Sequence, residues 1–255
     1  MNDKDLSDLK KAKKLLEVES LAVNMGNWFG DMTEKAIIKR LPDKWREALM
    51  DATMLAIEKS WEFTTGIMPD IEKPPIPDNK YKAYAILSGA IGGITIPTLF
   101  AELPVTTVIM LRSVADIARD EGEDFNDFET KIACLEVFAL GSKEADNIEK
   151  TNYYASRTIL EKPIIESSKY IAKKGAAGMG APFLAQLLAK IAVRYQAAIS
   201  VRVSASVVPI AGAICGAAVN IIFIKYFQDK ARGHFIIRRL ERKYGYEEVK
   251  QLYCA

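Results

Sequence analysis

Two stretches decide the fold: Ala83-Tyr-Ala-Ile-Leu-Ser-Gly-Ala-Ile-Gly-Gly-Ile-Thr-Ile-Pro-Thr-Leu-Phe-Ala101, and Val203-Ser-Ala-Ser-Val-Val-Pro-Ile-Ala-Gly-Ala-Ile-Cys-Gly-Ala-Ala-Val-Asn-Ile-Ile-Phe-Ile224. They run for 19 and 22 residues without a charged side chain. A helix that spans a bilayer needs roughly 20 apolar residues, so both are near that length. Each carries a Gly-x-x-x-Gly, Gly89 to Gly93 and Gly212 to Gly216. That spacing bares one helix face and lets a second backbone come close. In the second run Gly212, Gly216 and Asn220 fall on one face, which places Asn220 to hydrogen-bond across a helix crossing. Tyr81, Tyr84, Tyr226 and Phe227 flank the two runs, as aromatics do at a membrane interface and also around ordinary cores.

Outside these runs the chain is dense in charge. Of 255 residues 27% are charged, yet mean hydropathy is +0.01, so the apolar character is concentrated rather than spread. The net charge of +2 gives no case for a nucleic-acid partner. Between Lys225 and Lys250, however, eight basic residues face four acidic ones, directly after the second apolar run. Basic residues beside an apolar segment favour anionic lipid at the cytoplasmic leaflet, and Arg238, Arg239, Arg242 and Lys243 are the expected surface contacts. The plainer alternative is the solvated face of a C-terminal helix. Met1 to Lys11 has no apolar centre, so no signal peptide is expected there. Cys134, Cys215 and Cys254 are too dispersed for a disulfide framework or a metal motif, which fits a reducing cytoplasm.

The rest of the chain reads as helix nearly throughout. Leu6, Leu9, Ala12 and Leu16 recur at helical spacing in a charged first segment. A helix from Lys44 to about Thr65 follows. Prolines crowd the stretch 68–79, so it reads as a linker between N-terminal helices (1–67) and a helical core (80–255). Glu102-Leu103-Pro104 is expected to open a new helix, with the Glu102 carboxylate at its positive end. Asn126 and Glu129 resemble a capping box, and Gly141 a helix stop. Pro163 is expected to end one helix and begin another, and the second apolar run to form a helix of its own, kinked at Pro209. No stretch alternates strictly enough for a strand. The expected fold is all-α, with about ten helices around a central glycine-rich apolar pair.

Few residues suggest chemistry. No P-loop, dinucleotide fingerprint or zinc spacing occurs, and no catalytic residue, metal site or cofactor is expected. The only histidine, His234, sits among cations that disfavour its protonated form and is expected at a surface or interface. Glu102 and Arg112 bracket nine uncharged residues. Structurally, Glu102 caps its helix and Arg112 pairs with Asp116 at i+4. Functionally, Glu102, Arg112 and Asn220 are candidate polar anchors at the edge of an apolar ligand cavity. Gly89, Gly93, Gly212 and Gly216 are the candidate helix-crossing positions.

The order of several pieces is similar to a known family. Gly92-Gly93, Glu102-Leu103-Pro104, Leu111-Arg112-Ser-Val-Ala-Asp-Ile-Ala118, Glu121-Gly122-Glu123-Asp124 and Leu135-Glu-Val-Phe-Ala-Leu140 follow one another. Together with Ala231-Arg-Gly-His-Phe235, Arg239-Leu240-Glu241 and Lys243-Tyr244-Gly245, they resemble the EcsC family of bacterial proteins over roughly residues 45–250. The family usually has Asp-Leu-Pro where this chain has Glu102-Leu-Pro. It is named for a gene adjoining an ABC exporter and brings no catalytic residues with it.

The resemblance implies a bacterial, helical, membrane-linked protein. With the two apolar runs, it leads to a non-enzymatic protein, cytoplasmic and peripheral or integral at the inner membrane. Such a protein would bind lipid or another apolar ligand and assist an ABC transporter. The alternatives are a soluble helical interaction module and a hydrolase using a carboxylate such as Glu102 or Asp116.

Overall fold

The computed structural model describes residues 1–17, 21, 43–66, 80, 81, 83, 96–140, 153–174, 182–207 and 213–255. The described residues form eight helices and no strand: α1 (Asp3–Leu16), α2 (Asp43–Gly66), α3 (Ile96–Asp120), α4 (Phe128–Ala139), α5 (Tyr153–Lys174), α6 (Pro182–Val207), α7 (Ala213–Tyr244) and α8 (Tyr246–Cys254). The all-α expectation holds, with eight helices rather than about ten among the described residues.

The main core is built from one face of each of six helices. Leu49, Ile57 and Trp61 of α2 meet Leu103, Leu111 and Val114 of α3, Ile132 and Phe138 of α4, Leu160 of α5, Ile191 and Tyr195 of α6, and Phe223 and Phe227 of α7. Phe138, Tyr195, Phe223 and Phe227 form a chain of tilted and edge-on ring contacts through its centre. The proline-rich stretch 68–79 lies outside the described residues, and the helices on either side of it share this one core.

A second, smaller core joins the two ends of the chain. Leu9, Ala12 and Leu16 of α1 pack with Tyr153 and Tyr154 of α5, Ile236, Ile237 and Leu240 of α7, and Val249 and Tyr253 of α8. The α1 register follows from its sequence: Asn2 caps it by accepting from the Asp5 amide at 2.8 Å, and the apolar residues recur at helical spacing. Gly245 breaks α7 from α8 with φ +88 and ψ 149, a conformation essentially restricted to glycine. This break lets α8 turn so that Val249 and Tyr253 reach the second core.

Four local expectations are corrected. Of the second apolar run, Val203–Val207 lie in α6 and Ala213–Ile224 in α7, and the expected kink at Pro209 falls in residues 208–212, outside the described set. The basic segment is instead continuous with the apolar one in α7, whose 32 residues span about 48 Å. Pro104 and Pro163 both lie inside helices, α3 and α5, so neither opens a new one. Each costs one backbone hydrogen bond, which tertiary packing of Leu103 and Leu160 into the core offsets. Glu102 is therefore a mid-helix side chain and not a cap.

The cap of α4 is Asp127, which accepts from the Glu129 amide at 3.0 Å. Asn126 is held in the preceding turn by its own bonds to Asp124, at 2.9 and 3.0 Å. The stop at Gly141 and the helix-crossing positions Gly89, Gly93 and Gly212 lie outside the described residues, and Gly216 sits in the first turn of α7. Tyr226 and Phe227 are core residues, and no helix among the described residues is long and apolar enough to cross a membrane.

Candidate functional site: a cleft with a buried polar floor

A cleft of about 260 Å³ opens between α4, α5 and the C-terminal helices. Helical spacing builds its walls. Ile132, Ala133 and Glu136 come from one face of α4, and Arg157, Glu161, Ile164 and Ile165 from one face of α5. Arg238 of α7 and Tyr246 of α8 complete it. The walls are aliphatic, the floor is polar, and exposed Glu129 and Glu161 stand at the rim.

The floor is a connected set of ionisable groups. Arg157 Nη1 donates to both carboxylate oxygens of Glu241, at 2.7 and 2.9 Å, and to the Tyr153 hydroxyl at 3.3 Å. Tyr154 donates to Glu241 at 3.0 Å. The Tyr153 hydroxyl and His234 Nδ1 share a hydrogen bond of 2.8 Å, while Nε2 faces Glu136 Oε2 at 3.8 Å, too far for one. The expectation of a surface His234 is thus corrected: the ring is fully buried. Burial, reinforced by Arg157 and Arg238, pushes its pKa well below the ordinary range. It is neutral for two reasons, of which the sequence offered only the cationic one.

Glu136 is the least satisfied group in the cleft. It is buried, and its Oε1 has no hydrogen-bond partner among the described residues. Burial raises its pKa against the opposing pull of Arg157 and Arg238. The sign of the linkage follows. Below about 4.5 the carboxyl is neutral whether folded or unfolded. Above it the unfolded chain ionises while the folded site resists, so Glu136 costs stability increasingly as pH rises. Glu136→Gln is therefore expected to be more stable than the parent at pH 7 to 8. The difference should shrink towards pH 4 in urea unfolding series. A difference independent of pH would show that Glu136 is ionised in the folded protein.

Beside the cleft, Glu123 receives a fork from Arg238, at 2.9 and 3.0 Å, and a further bond from Arg242 Nη1. Burial works against its ionisation, but the two guanidiniums outweigh it and hold the carboxyl below its usual range. The other expected surface cations are also engaged. Arg239 pairs with Asp8 at 2.8 Å and Glu121 at 2.7 Å, and Lys243 with Asp5 at 2.6 Å. Hydrogen bonds from Lys243 and Tyr244 lower the Asp5 pKa from 3.8 to about 2. The basic character of Arg238, Arg239, Arg242 and Lys243 is answered by α1 and by the turn after α3.

The three anchor candidates separate. Glu102 and Asn220 come together through a residue the sequence reading did not single out: Arg202, 1% exposed, bonds Glu102 Oε1 through Nη2 and Asn220 Oδ1 through Nε, both at 3.0 Å. Thr106 also donates to Glu102, at 2.7 Å. Arg112 belongs to another cluster, 3.6 Å from Asp116 as its i+4 spacing implied, with Arg119 3.4 Å from the same carboxylate and the Tyr81 hydroxyl donating to it. Glu136, Tyr153, Arg157 and Glu241 were also missed. One signal was visible: Glu136 is a lone carboxylate inside the apolar run Ile132 to Leu140. The meeting of Tyr153, Arg157 and His234 was not, because residues 81 apart in sequence carry no local pattern.

These features define a class: an all-helical protein with a narrow amphipathic cleft over a buried polar network. Among the described residues no cluster of His, Cys, Asp and Glu could hold a metal ion. The chain belongs to the EcsC protein family, which it matches over residues 77–240. That span contains the cleft from Glu129 to Arg238 and the whole Glu102–Arg202–Asn220 junction. No curated protein and no solved structure matches the chain.

Proposed function

We propose that this protein is a non-enzymatic binding protein for lipid or another amphipathic ligand, acting at the cytoplasmic face of the inner membrane. The observation that carries this reading is the lining of the cleft. Ile132, Ala133, Ile164 and Ile165 line the same cleft as Glu136, Arg157 and Arg238, so its fitting occupant has both an apolar and a polar part. Exposed Ile165 and Tyr246 of the lining, with exposed Ile159 on the same helix as Ile165, add apolar surface beside the carboxylates of the rim. Binding is favoured over hydrolysis because Glu102 and Asp116, the carboxylates considered as catalysts, are each committed to arginines of the fold. The Gly89–Gly93 and Gly212–Gly216 faces are proposed to cross closely as a central pair. A role beside an ABC transporter rests on the resemblance alone.

Purified full-length protein is expected to carry extractable lipid and to sediment with liposomes. Ile165→Asp is expected to weaken liposome binding at least about tenfold, since a charge placed in an apolar contact costs more than 1.4 kcal/mol. Ile165 is 42% exposed, so the thermal transition should barely move. A protein with no co-purifying lipid and no affinity for liposomes would overturn the proposal.

A further inference from the structure

Arg157 is the best-held cation in the cleft and only part of it is used. Its Nη1 serves Glu241 and Tyr153, while Nε and Nη2 make no hydrogen bond among the described residues. These two nitrogens form the side-on edge of a guanidinium, the edge that grips a carboxylate or phosphate with two parallel bonds. Three rings fix its direction: the guanidinium carbon lies 5.5 Å from the centre of Tyr153, 5.9 Å from Tyr154 and 5.8 Å from Tyr246. Arg238 spends Nε and Nη2 on Glu123 and keeps Nη1. Glu136 lines the same cleft, and its buried Oε1 has no hydrogen-bond partner among the described residues.

We infer that the cleft binds an anionic oxygen group, a carboxylate or phosphate, on the free Nε/Nη2 edge of Arg157, with the Glu136 carboxyl as its second contact. The inference rests on the reading of this cleft as the ligand site and names the head group that site selects.

On the floor Arg157 and Arg238 offset Glu241 and Glu123, so an anion meets no net negative charge there. Glu136 adds no repulsion in its neutral form, which burial favours, and then offers an O–H that an anion accepts. The remaining carboxylates, Glu129 and Glu161, are exposed at the rim, where water screens them. The same cleft is lined by Ile132, Ala133, Ile164 and Ile165, which offer apolar contact to an acyl chain attached to the group.

Calorimetric titration of the full chain at pH 7 separates the possibilities. The probes are dodecanoate, dodecyl phosphate, dodecanol and inorganic phosphate, the amphiphiles below their micelle concentrations. Charge-assisted bonds are worth roughly 1.5–3 kcal/mol, so the two anionic amphiphiles should bind about 10- to 100-fold more tightly than dodecanol. Arg157→Lys retains the charge facing Glu241 but loses the fork. It should erase about tenfold of that preference while leaving dodecanol affinity unchanged. Retained dodecanol affinity in Arg157→Lys shows that this variant still folds, and its loss together with the preference would show that it does not.

Equal affinity for dodecanol and dodecanoate would overturn the anionic head and leave the apolar cleft standing. Inorganic phosphate binding as tightly as dodecyl phosphate would support the anion contact and remove lipid as its source. No heat with any probe would overturn both readings.

Discussion

Arg202→Ala should lower the unfolding free energy by about 3–5 kcal/mol, the usual cost of breaking a buried ion pair from one side. Arg202 ties three helices at one point. It sits on α6, bonds Glu102 on α3 and Asn220 on α7, and lies over the Phe223 ring at 5.4 Å. Truncation leaves the Glu102 carboxylate, 10% exposed, with the Thr106 hydroxyl as its one remaining partner among the described residues. It leaves the buried Asn220 amide without this partner as well. Arg202→Lys is no substitute, because one ammonium cannot reproduce two divergent N–H bonds held in a plane.

The double change Arg202→Met with Glu102→Leu removes both charges together. It should lose less than either single variant, since no uncompensated charge remains. Urea unfolding of the four proteins tests this as a cycle. Additive losses would mean that Arg202 and Glu102 act independently and that the junction is not an ion pair in solution.

Gly233→Val is expected to cost about 1–3 kcal/mol by overpacking. It should also loosen α1 before the rest of the molecule. Gly233 lies on α7 where the end of α1 crosses it. A Cβ there would sit 2.6 Å from Leu16 Cγ and 3.1 Å from the Ala12 carbonyl oxygen. The Leu16 branch point and the backbone oxygen cannot turn aside, so α1 itself must move. Its attachments then fail together: Lys230 donating to the Leu16 carbonyl at 2.5 Å, and the Asp5 and Asp8 pairs with Lys243 and Arg239.

Alanine at the same position recovers up to about 1 kcal/mol of helix propensity, which would blur the result; valine recovers much less. Limited proteolysis at the lysines of α1 should accelerate in Gly233→Val, while hydrogen exchange in the main core stays slow. Truncating Leu16 to alanine in the same chain should restore part of the loss. Unchanged proteolysis would show that α1 does not rest on Gly233.

Liberation of α1 in that variant would also uncover Arg239 and Lys243. In the intact fold their charge is answered by Asp5, Asp8 and Glu121. The eight-to-four excess of basic residues over 225–250 is real in the sequence, yet it does not translate directly into a basic surface. Charge counted along a helix says nothing of which carboxylates arrive from elements over a hundred residues away.

The sequence by itself determined the all-helical class. Apolar residues at helical spacing, as in Leu9, Ala12 and Leu16, can be buried only by a helix, and no competing alternation exists. It also placed Asp116 beside Arg112, because an i+4 pair needs only a helix to meet. Local propensity at Pro104, Pro163 and Asn126 predicts helix boundaries that the fold does not use, since it is outweighed there by packing of neighbouring side chains or by a better cap one residue on.

Only the tertiary structure decided the site. Glu102 and Asn220 were marked in the sequence, but the Arg202 that joins them is 100 residues from one and 18 from the other. Likewise Tyr153, Arg157 and Glu136 acquire meaning only when α4, α5 and α7 converge on His234. The physical reason is one of range. Helix formation and ion pairs within a turn are set by residues three or four apart. The burial that keeps His234 neutral and raises the Glu136 pKa exists only once distant helices have excluded water from between them.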